Sequence, residues 1–182
     1  MKITTSQVLK VLYILSWIIF VGVCIEAGGF ITNTFFTVAI KPIGAKHFWP
    51  NIDLSGLYQF DRGYFIIETV LMSAVAVLRS VIFYFIIKLL HDKKLDVYKP
   101  FNMAVARFVS RISYLALFTG LLSWYGAKYA AWFVTKGVNM PDVQYLRLGG
   151  ADVWLFMGVT LYVIAQLFKR GVEIQSENEL TV

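Results

Sequence analysis

Long apolar blocks alternate with short charged stretches along the chain. The hydrocarbon core of a bilayer is about 30 Å thick, and a helix needs about 20 largely apolar residues to cross it. Helices are the expected structure because every backbone amide inside lipid must be satisfied within its own segment. The pattern predicts four transmembrane helices, over residues of about 8–38, 64–92, 102–136 and 148–170.

The first apolar block is longer than a bilayer requires. Between Val11 and Ile40 the one charged residue is Glu26, and about 30 residues of straight helix span about 45 Å. The helix is therefore expected to tilt, to project from the membrane or to break. Gly28-Gly29 is the natural place for a bend or break, because paired glycines weaken a helix interior.

Two connections are predicted on one side of the membrane, at residues 41–63 and 137–147. The longer one combines aromatic residues with turn-forming prolines and glycines, which favours a folded cap or an interfacial belt over a flexible linker. The shorter one also carries turn formers and is expected to complete the cap. The predicted fold class is an all-α membrane protein, a four-transmembrane-helix bundle with a small aromatic-rich outer cap, in one domain over residues 1–182.

The distribution of charge predicts the orientation. The chain has 17 Lys and Arg against 11 Asp and Glu, a net charge of +6. The basic residues are dispersed over helix ends and loops, so no direct nucleic-acid binding is predicted. Lysines and arginines concentrate before the first helix, in residues 91–100 and after the fourth helix, and short cytoplasmic loops carry such an excess. Both termini, including a tail over residues 171–182, are therefore predicted to be cytoplasmic.

Ionisable residues inside the apolar blocks are the strongest candidates for function, because each costs roughly 2.5–3.5 kcal/mol at the centre of a membrane helix. The candidates for a ligand site or an ion pathway are Glu26, Glu68, Arg79 and Asp152. The alternative is structural, with interhelical ion pairs, such as Glu26 or Glu68 with Lys128, and with arginines that extend to the lipid head groups. The structural case is the commoner one, and the sequence leaves both open.

A second group of basic residues lies towards the predicted cytoplasmic side and comprises Arg107, Arg111, Lys169 and Arg170. Arg107 and Arg111 are four residues apart and therefore share one helix face. Like charges on one face repel, so an anionic partner is expected. The candidates are a lipid phosphate, an acid on another helix or a carboxylate of the tail.

The tail itself is predicted to fold back against the bundle as an amphipathic segment. Its carboxylates would then lie near Arg107 or Arg111, and they belong to Glu173, Glu177 and Glu179. The alternative is a flexible charged tail.

Catalytic and metal-binding patterns are not found in the sequence. His47 and His91 are predicted on opposite sides of the membrane, so they cannot jointly bind haem or zinc. The single cysteine, Cys24, excludes an internal disulfide and a cysteine pair for metal or redox chemistry. No cofactor, no metal and no enzymatic activity are therefore predicted.

Two stretches resemble a known family. The first is Lys99-Pro100-Phe101-Asn102, followed by Arg107 and Arg111, and the second is the ending over residues 168–182. Both are similar to the bacterial membrane-protein family catalogued as domain of unknown function two-nine-seven-five (DUF2975), over essentially the whole chain. The tail motif comprises Gly171, Glu173, Glu177, Asn178 and Glu179, with glutamate at position 179 where the family commonly has aspartate.

The resemblance implies four helices in a bacterial inner membrane and no established activity. It also implies a small helix-turn-helix transcriptional regulator as a partner, because a gene for one often lies beside family genes. The leading hypothesis is a non-enzymatic sensor or regulatory membrane partner, with membrane lipids or a small hydrophobic ligand as its ligands. The alternative hypothesis is a small homo-oligomeric transporter or channel that uses the intramembrane carboxylates and arginines.

Overall fold

The computed structural model describes residues 5–92 and 102–179, with side chains over residues 6–92 and 102–177. Within that part the chain forms helices and no named strand, and four of the helices are long and apolar enough to cross a membrane. The predicted all-α, four-span fold class is confirmed. The elements are α1 (Thr5–Ala39), a 3-10 turn (Pro42–Ala45), α2 (Ser55–Phe60), α3 (Arg62–His91), α4 (Met103–Thr135) and α5 (Ala151–Glu179).

Two of the long helices begin at side-chain caps. Asp61 accepts a hydrogen bond from the backbone N–H of Tyr64 (3.0 Å) at the start of α3. Asn102 accepts one from the N–H of Val105 (2.8 Å) at the start of α4. Such caps satisfy backbone donors that lack a partner within the helix. Residues Lys99-Pro100-Phe101, which precede this helix in the sequence, lie outside the described residues.

The long helices pack in chain order, α1 on α3, α3 on α4 and α4 on α5. One end of this layer carries residues 40–61 and 136–150, and we call it the capped end. The other carries the start of α1, the end of α3, the start of α4 and the end of α5, and we call it the terminal end. Tyr13 of α1 contacts His91 of α3 there (3.3 Å, Oη to Nδ1). The large exposed side chains of α1 and α5 are mostly apolar, as lipid contact requires.

Close packing of α4 on α5 depends on two glycines. A Cβ added to Gly120 would lie 2.7 Å from the Leu155 side chain, and one added to Gly158 would lie 2.9 Å from the backbone nitrogen of Leu117. Ser113 also donates a hydrogen bond to the carbonyl of Gly158 (2.9 Å). Small residues let membrane helices approach closely.

Of the three outcomes expected for the first helix, the break at Gly28-Gly29 is not observed, since α1 runs without interruption from Thr5 to Ala39. Gly29 has a packing role instead. A Cβ at this position would lie 1.9 Å from the Trp49 ring, so the indole occupies the space a side chain would need. A long helix stays intact despite its glycines, each of which costs roughly 1 kcal/mol relative to alanine in a helix interior.

The tail also differs from the prediction. α5 continues through Gly171 to Glu179, so these residues extend the helix and do not fold back onto the bundle. Arg170 and Glu173 form an ion pair along it (2.8 Å), as residues three apart on a helix can. One glycine is not enough to end a helix that such residues continue. The side chains of Asn178 and Glu179, and residues 180–182, lie outside the described part.

The cap is folded and shares its core with the long helices, which confirms the predicted aromatic-rich cap. Phe48 of the cap packs against Phe30 of α1 and Phe65 of α3, with ring centroids 5.9 Å apart in both pairs. All three rings are fully buried. Asn33 of α1 donates a hydrogen bond to the carbonyl of Phe48 (2.6 Å). The cap and the helices therefore form one packed body.

Candidate functional site

The connection between α4 and α5 returns alongside α4 before α5 begins. A Cβ on Gly126 would lie 2.8 Å from the Leu148 side chain, so these two residues are at one level. Gly126 lies nine residues before the end of α4 at Thr135, which is about 13 Å along the helix axis. Residues 136–150 therefore descend from the capped end towards the middle of the layer. Irregular backbone inside a membrane is tolerated only where protein buries it or where it lines a watery cavity.

Arg147 is the residue that this descending segment brings into place. Its flanking residues, Leu146 and Leu148, are both fully buried and fix the chain on either side. Arg147 itself has φ +60°, a left-handed conformation that is uncommon for a residue with a side chain. The turn directs the guanidinium to α1, where Nε lies 2.7 Å from Oε1 of Glu26. The ion pair thus joins the segment before α5 to the middle of α1.

A second arginine approaches the same carboxylate from α3. The guanidinium of Arg79 lies over the ring of Trp154 of α5, with Cζ 5.5 Å from the ring centroid. Arg79 also interacts electrostatically with Glu26 and Arg147. Its Nε is buried and has no hydrogen-bond partner among the described residues. We call Glu26, Arg79, Arg147 and Trp154 the ionic cluster; it holds two cations against one carboxylate.

The ionic cluster lies near the middle of the membrane-spanning layer. Tyr13 and His91 are at one level, and counting thirteen residues along α1 from Tyr13 reaches Glu26. Counting twelve residues back along α3 from His91 reaches Arg79, which is about 4 Å from the midpoint of that helix. An ionisable group at this depth is a functional-site candidate by default.

Glu68 lies apart from the ionic cluster, in the core beneath the cap. It is fully buried on the face of α3 that also carries Phe65, Met72 and Val75. Neither carboxylate oxygen has a hydrogen-bond partner among the described residues. A buried polar group without a hydrogen-bond partner lowers the free energy of unfolding, because it loses its contacts with water and gains none in the protein.

The structure places the other predicted candidates as follows. Asp152 is exposed in the first turn of α5, where an acid is favourable because it faces the positive end of the helix dipole. Lys128 is exposed on α4, and the cation paired with Glu26 is Arg147. The structural alternative was therefore right that Glu26 is paired and wrong about its partner.

The basic residues of the terminal end form two separate groups. Arg107 and Arg111 lie on α4 beside the end of α3, where they line a cavity. Lys169 and Arg170 lie on α5, and Arg170 is paired with Glu173. The predicted approach of the tail carboxylates to Arg107 and Arg111 is not what the described residues show, because the tail extends α5 and its Glu173 is paired with Arg170.

Two members of the ionic cluster were missed by sequence reasoning. Arg147 lies in the predicted connection over residues 137–147, and Trp154 was not among the predicted candidates. The available signal was local, since Leu146-Arg147-Leu148 places one cation between two large apolar residues. Nothing in the sequence states that this loop turns back along α4.

The cap carries a groove of its own at the capped end. Its volume is about 640 Å³, and its lining includes Asn33, Lys46, His47, Trp49 and Asp53. The pKa of Asp53 is held below its usual range by hydrogen bonds from Ser55, with Lys46 and His47 adding to the effect. Neither Glu26 nor Glu68 lines this groove, so it is separate from the groups inside the membrane.

Comparison with known proteins gives one match. The model of the family described as "Protein of unknown function (DUF2975)" matches residues 40–182, which is 143 of the 182 residues. The matched part contains α2 to α5 with Glu68, Arg79 and Arg147, and it begins after α1. No curated protein and no solved structure matches the chain significantly.

Proposed function

The chain belongs to the DUF2975 family, whose function is unknown, and from that premise we propose that it is a non-enzymatic membrane sensor that acts through a partner. A lipid or small hydrophobic ligand with a polar group binds beside the ionic cluster. The proposed location is a bacterial inner membrane, with both termini in the cytoplasm. The proposed partner is a small helix-turn-helix transcriptional regulator.

The observation that carries this proposal is the course of α5. Trp154, one turn into the helix, stacks on Arg79 in the ionic cluster. From there α5 continues unbroken to Glu179 at the terminal end. A ligand that displaces Arg79 or Arg147 therefore changes the contacts at the start of α5. Because the helix is continuous, a movement of its start also moves its end.

The end of α5 supplies the surface that a partner would contact. Twenty-nine residues of helix extend about 43 Å, more than the hydrocarbon thickness of about 30 Å. The last two turns are polar, with Glu173, Ser176 and Glu177 among their residues, and they lie beyond the apolar part of the helix. A protein partner in water could bind there without entering lipid.

The charge imbalance of the ionic cluster indicates the class of ligand. Two arginines oppose one carboxylate, and Arg79 has a buried N–H group without a partner among the described residues. A hydrogen-bond acceptor that carries negative charge would satisfy that group and balance the cluster. We therefore propose an amphiphile with an acidic or acceptor head group.

The test compares transcripts in a host strain that lacks the gene and carries wild-type or variant protein. Arg147→Gln and deletion of residues 171–182 are each expected to give the transcript profile of the empty strain, with normal protein levels in the membrane fraction. Lys128→Gln removes a cation from the exposed surface of α4 and is the matched control, expected to behave as wild type. A correctly inserted Arg147→Gln protein with wild-type transcripts would contradict the proposal.

The second candidate function is a small homo-oligomeric transporter or channel. The position of Glu26 and Arg79 near the middle of the membrane favours it, because transport sites lie at that depth. Proteoliposomes containing the purified protein distinguish the two functions. Proton or ion flux that is lost in Glu26→Gln and Glu68→Gln would support transport and would count against a sensor without flux.

A further inference from the structure

A cavity of about 250 Å³ lies at the terminal end, between the end of α3 and the start of α4. Among the described residues, three cations line it, Lys88, Arg107 and Arg111, together with one carboxylate, that of Asp92. The cavity is smaller than the roughly 300–1,000 Å³ typical of drug-sized ligands. It therefore suits a small anionic group better than a whole organic molecule.

The two arginines are held in place by contacts within the protein. The guanidinium of Arg111 lies over the ring of Phe85 of α3, with Cζ 5.9 Å from the ring centroid. Arg107 donates through Nε to the carbonyl of Met103 (3.3 Å), one turn earlier on α4. Neither arginine takes part in the ion pairs seen between described residues, Arg147 with Glu26 and Arg170 with Glu173. The repulsion between Arg107 and Arg111 is therefore not relieved by either of these ion pairs.

The cavity lies at the depth of lipid head groups. α3 has 30 residues and is about 45 Å long, so each end extends about 7 Å beyond a hydrocarbon core of about 30 Å. Lys88 is three residues from the end of α3, and Arg107 is four residues from the start of α4. Both are thus within about 6 Å of a helix end. The start of α4 adds the positive end of its dipole to the same place.

We propose that this cavity binds the phosphate of an anionic phospholipid head group. The phosphate contacts Lys88, Arg107 and Arg111, while the acyl chains run along the apolar surface of α3 and α4. Arginine suits this task because its planar guanidinium donates two parallel hydrogen bonds to phosphate oxygens. The inference rests on the cavity alone and does not depend on the sensor function.

Native mass spectrometry of the wild-type protein with two lipids of equal chain length tests the proposal. Phosphatidylglycerol is expected to remain bound at least about tenfold more tightly than phosphatidylcholine, whose choline group cancels the phosphate charge. Equal retention of the two lipids would overturn the proposal. This comparison needs no variant and is independent of any effect of mutation on folding.

Matched double variants then locate the site. Arg107→Gln with Arg111→Gln is expected to weaken phosphatidylglycerol binding at least about tenfold, because two charge-assisted contacts are lost. Lys169→Gln with Arg170→Gln removes the same charge on α5, outside the cavity, and is expected to change binding less than about twofold. Equal losses in the two double variants would show general attraction to the anionic lipid and would overturn the site.

Two further measurements complete the test. Arg107→Lys with Arg111→Lys keeps the charge and is expected to restore most of the preference for phosphatidylglycerol. Inorganic phosphate at millimolar concentration is expected to leave lipid binding and thermal unfolding unchanged, because it lacks the acyl chains that hold the head group at this depth. Stabilisation by inorganic phosphate alone, equal to that by the lipid, would contradict a lipid site.

Discussion

Replacement of Glu68 by methionine is expected to stabilise the protein. The side chain is fully buried, and neither of its oxygens has a hydrogen-bond partner among the described residues. An unsatisfied buried polar group costs roughly 1–3 kcal/mol, and an apolar side chain of similar volume removes that cost. Since no hydrogen bond to a described residue is lost in exchange, the free energy of unfolding should rise by about 1–3 kcal/mol.

The control for this prediction is Glu68→Gln, which keeps the shape and leaves two polar atoms buried. Its stability is expected to stay close to that of the wild type, well below that of Glu68→Met. The assay is equilibrium unfolding of the purified protein in mixed micelles, as the denaturing detergent fraction is increased and helical circular dichroism is followed. A Glu68→Met protein less stable than both others would show that Glu68 has a stabilising partner, and the reasoning would be refuted.

The remaining predictions concern glycines that contact a neighbour, each compared with one that does not. Gly158→Ala should destabilise the protein by about 1–3 kcal/mol, because its Cβ would lie 2.9 Å from the backbone nitrogen of Leu117. Gly22→Ala should be neutral or slightly stabilising, because a Cβ at this position would have no neighbouring atom within 4 Å. Gly29→Ala should destabilise through displacement of the Trp49 ring, whereas Gly28→Ala should not. Equal unfolding midpoints within either pair would contradict these contacts.

Much of the fold could be predicted because its physical cause is local. A bilayer of known thickness fixes the length of the apolar blocks, so the four helices could be located within a few residues of their observed ends, except that α5 ends at Glu179, nine residues later than predicted. Aromatic residues and turn formers in residues 41–63 likewise predicted a folded cap. Each of these inferences depends on residues that are close together in the sequence.

The site was harder to predict because its contacts join distant segments. Glu26 was recognised as a costly charge, but its partner Arg147 is 121 positions away in a loop that turns back along α4. Gly29 suggested a break because its actual role is not visible in the local sequence. The Trp49 ring that fills the space beside Gly29 comes from the cap. The prediction ended the fourth helix at about residue 170, where its apolar block ends, whereas α5 continues through mostly polar residues to Glu179.

A double-mutant cycle between Glu26 and Arg147 tests the central claim, that the segment before α5 returns into the membrane to form the ionic cluster. Glu26→Gln, Arg147→Gln and the double variant are unfolded under the same conditions as the wild type. Polar contacts between segments inside a membrane contribute roughly 0.6–2 kcal/mol, so the expected coupling is modest, about 1 kcal/mol. A coupling of this size would support the cluster, and strictly additive effects of the two substitutions would contradict it.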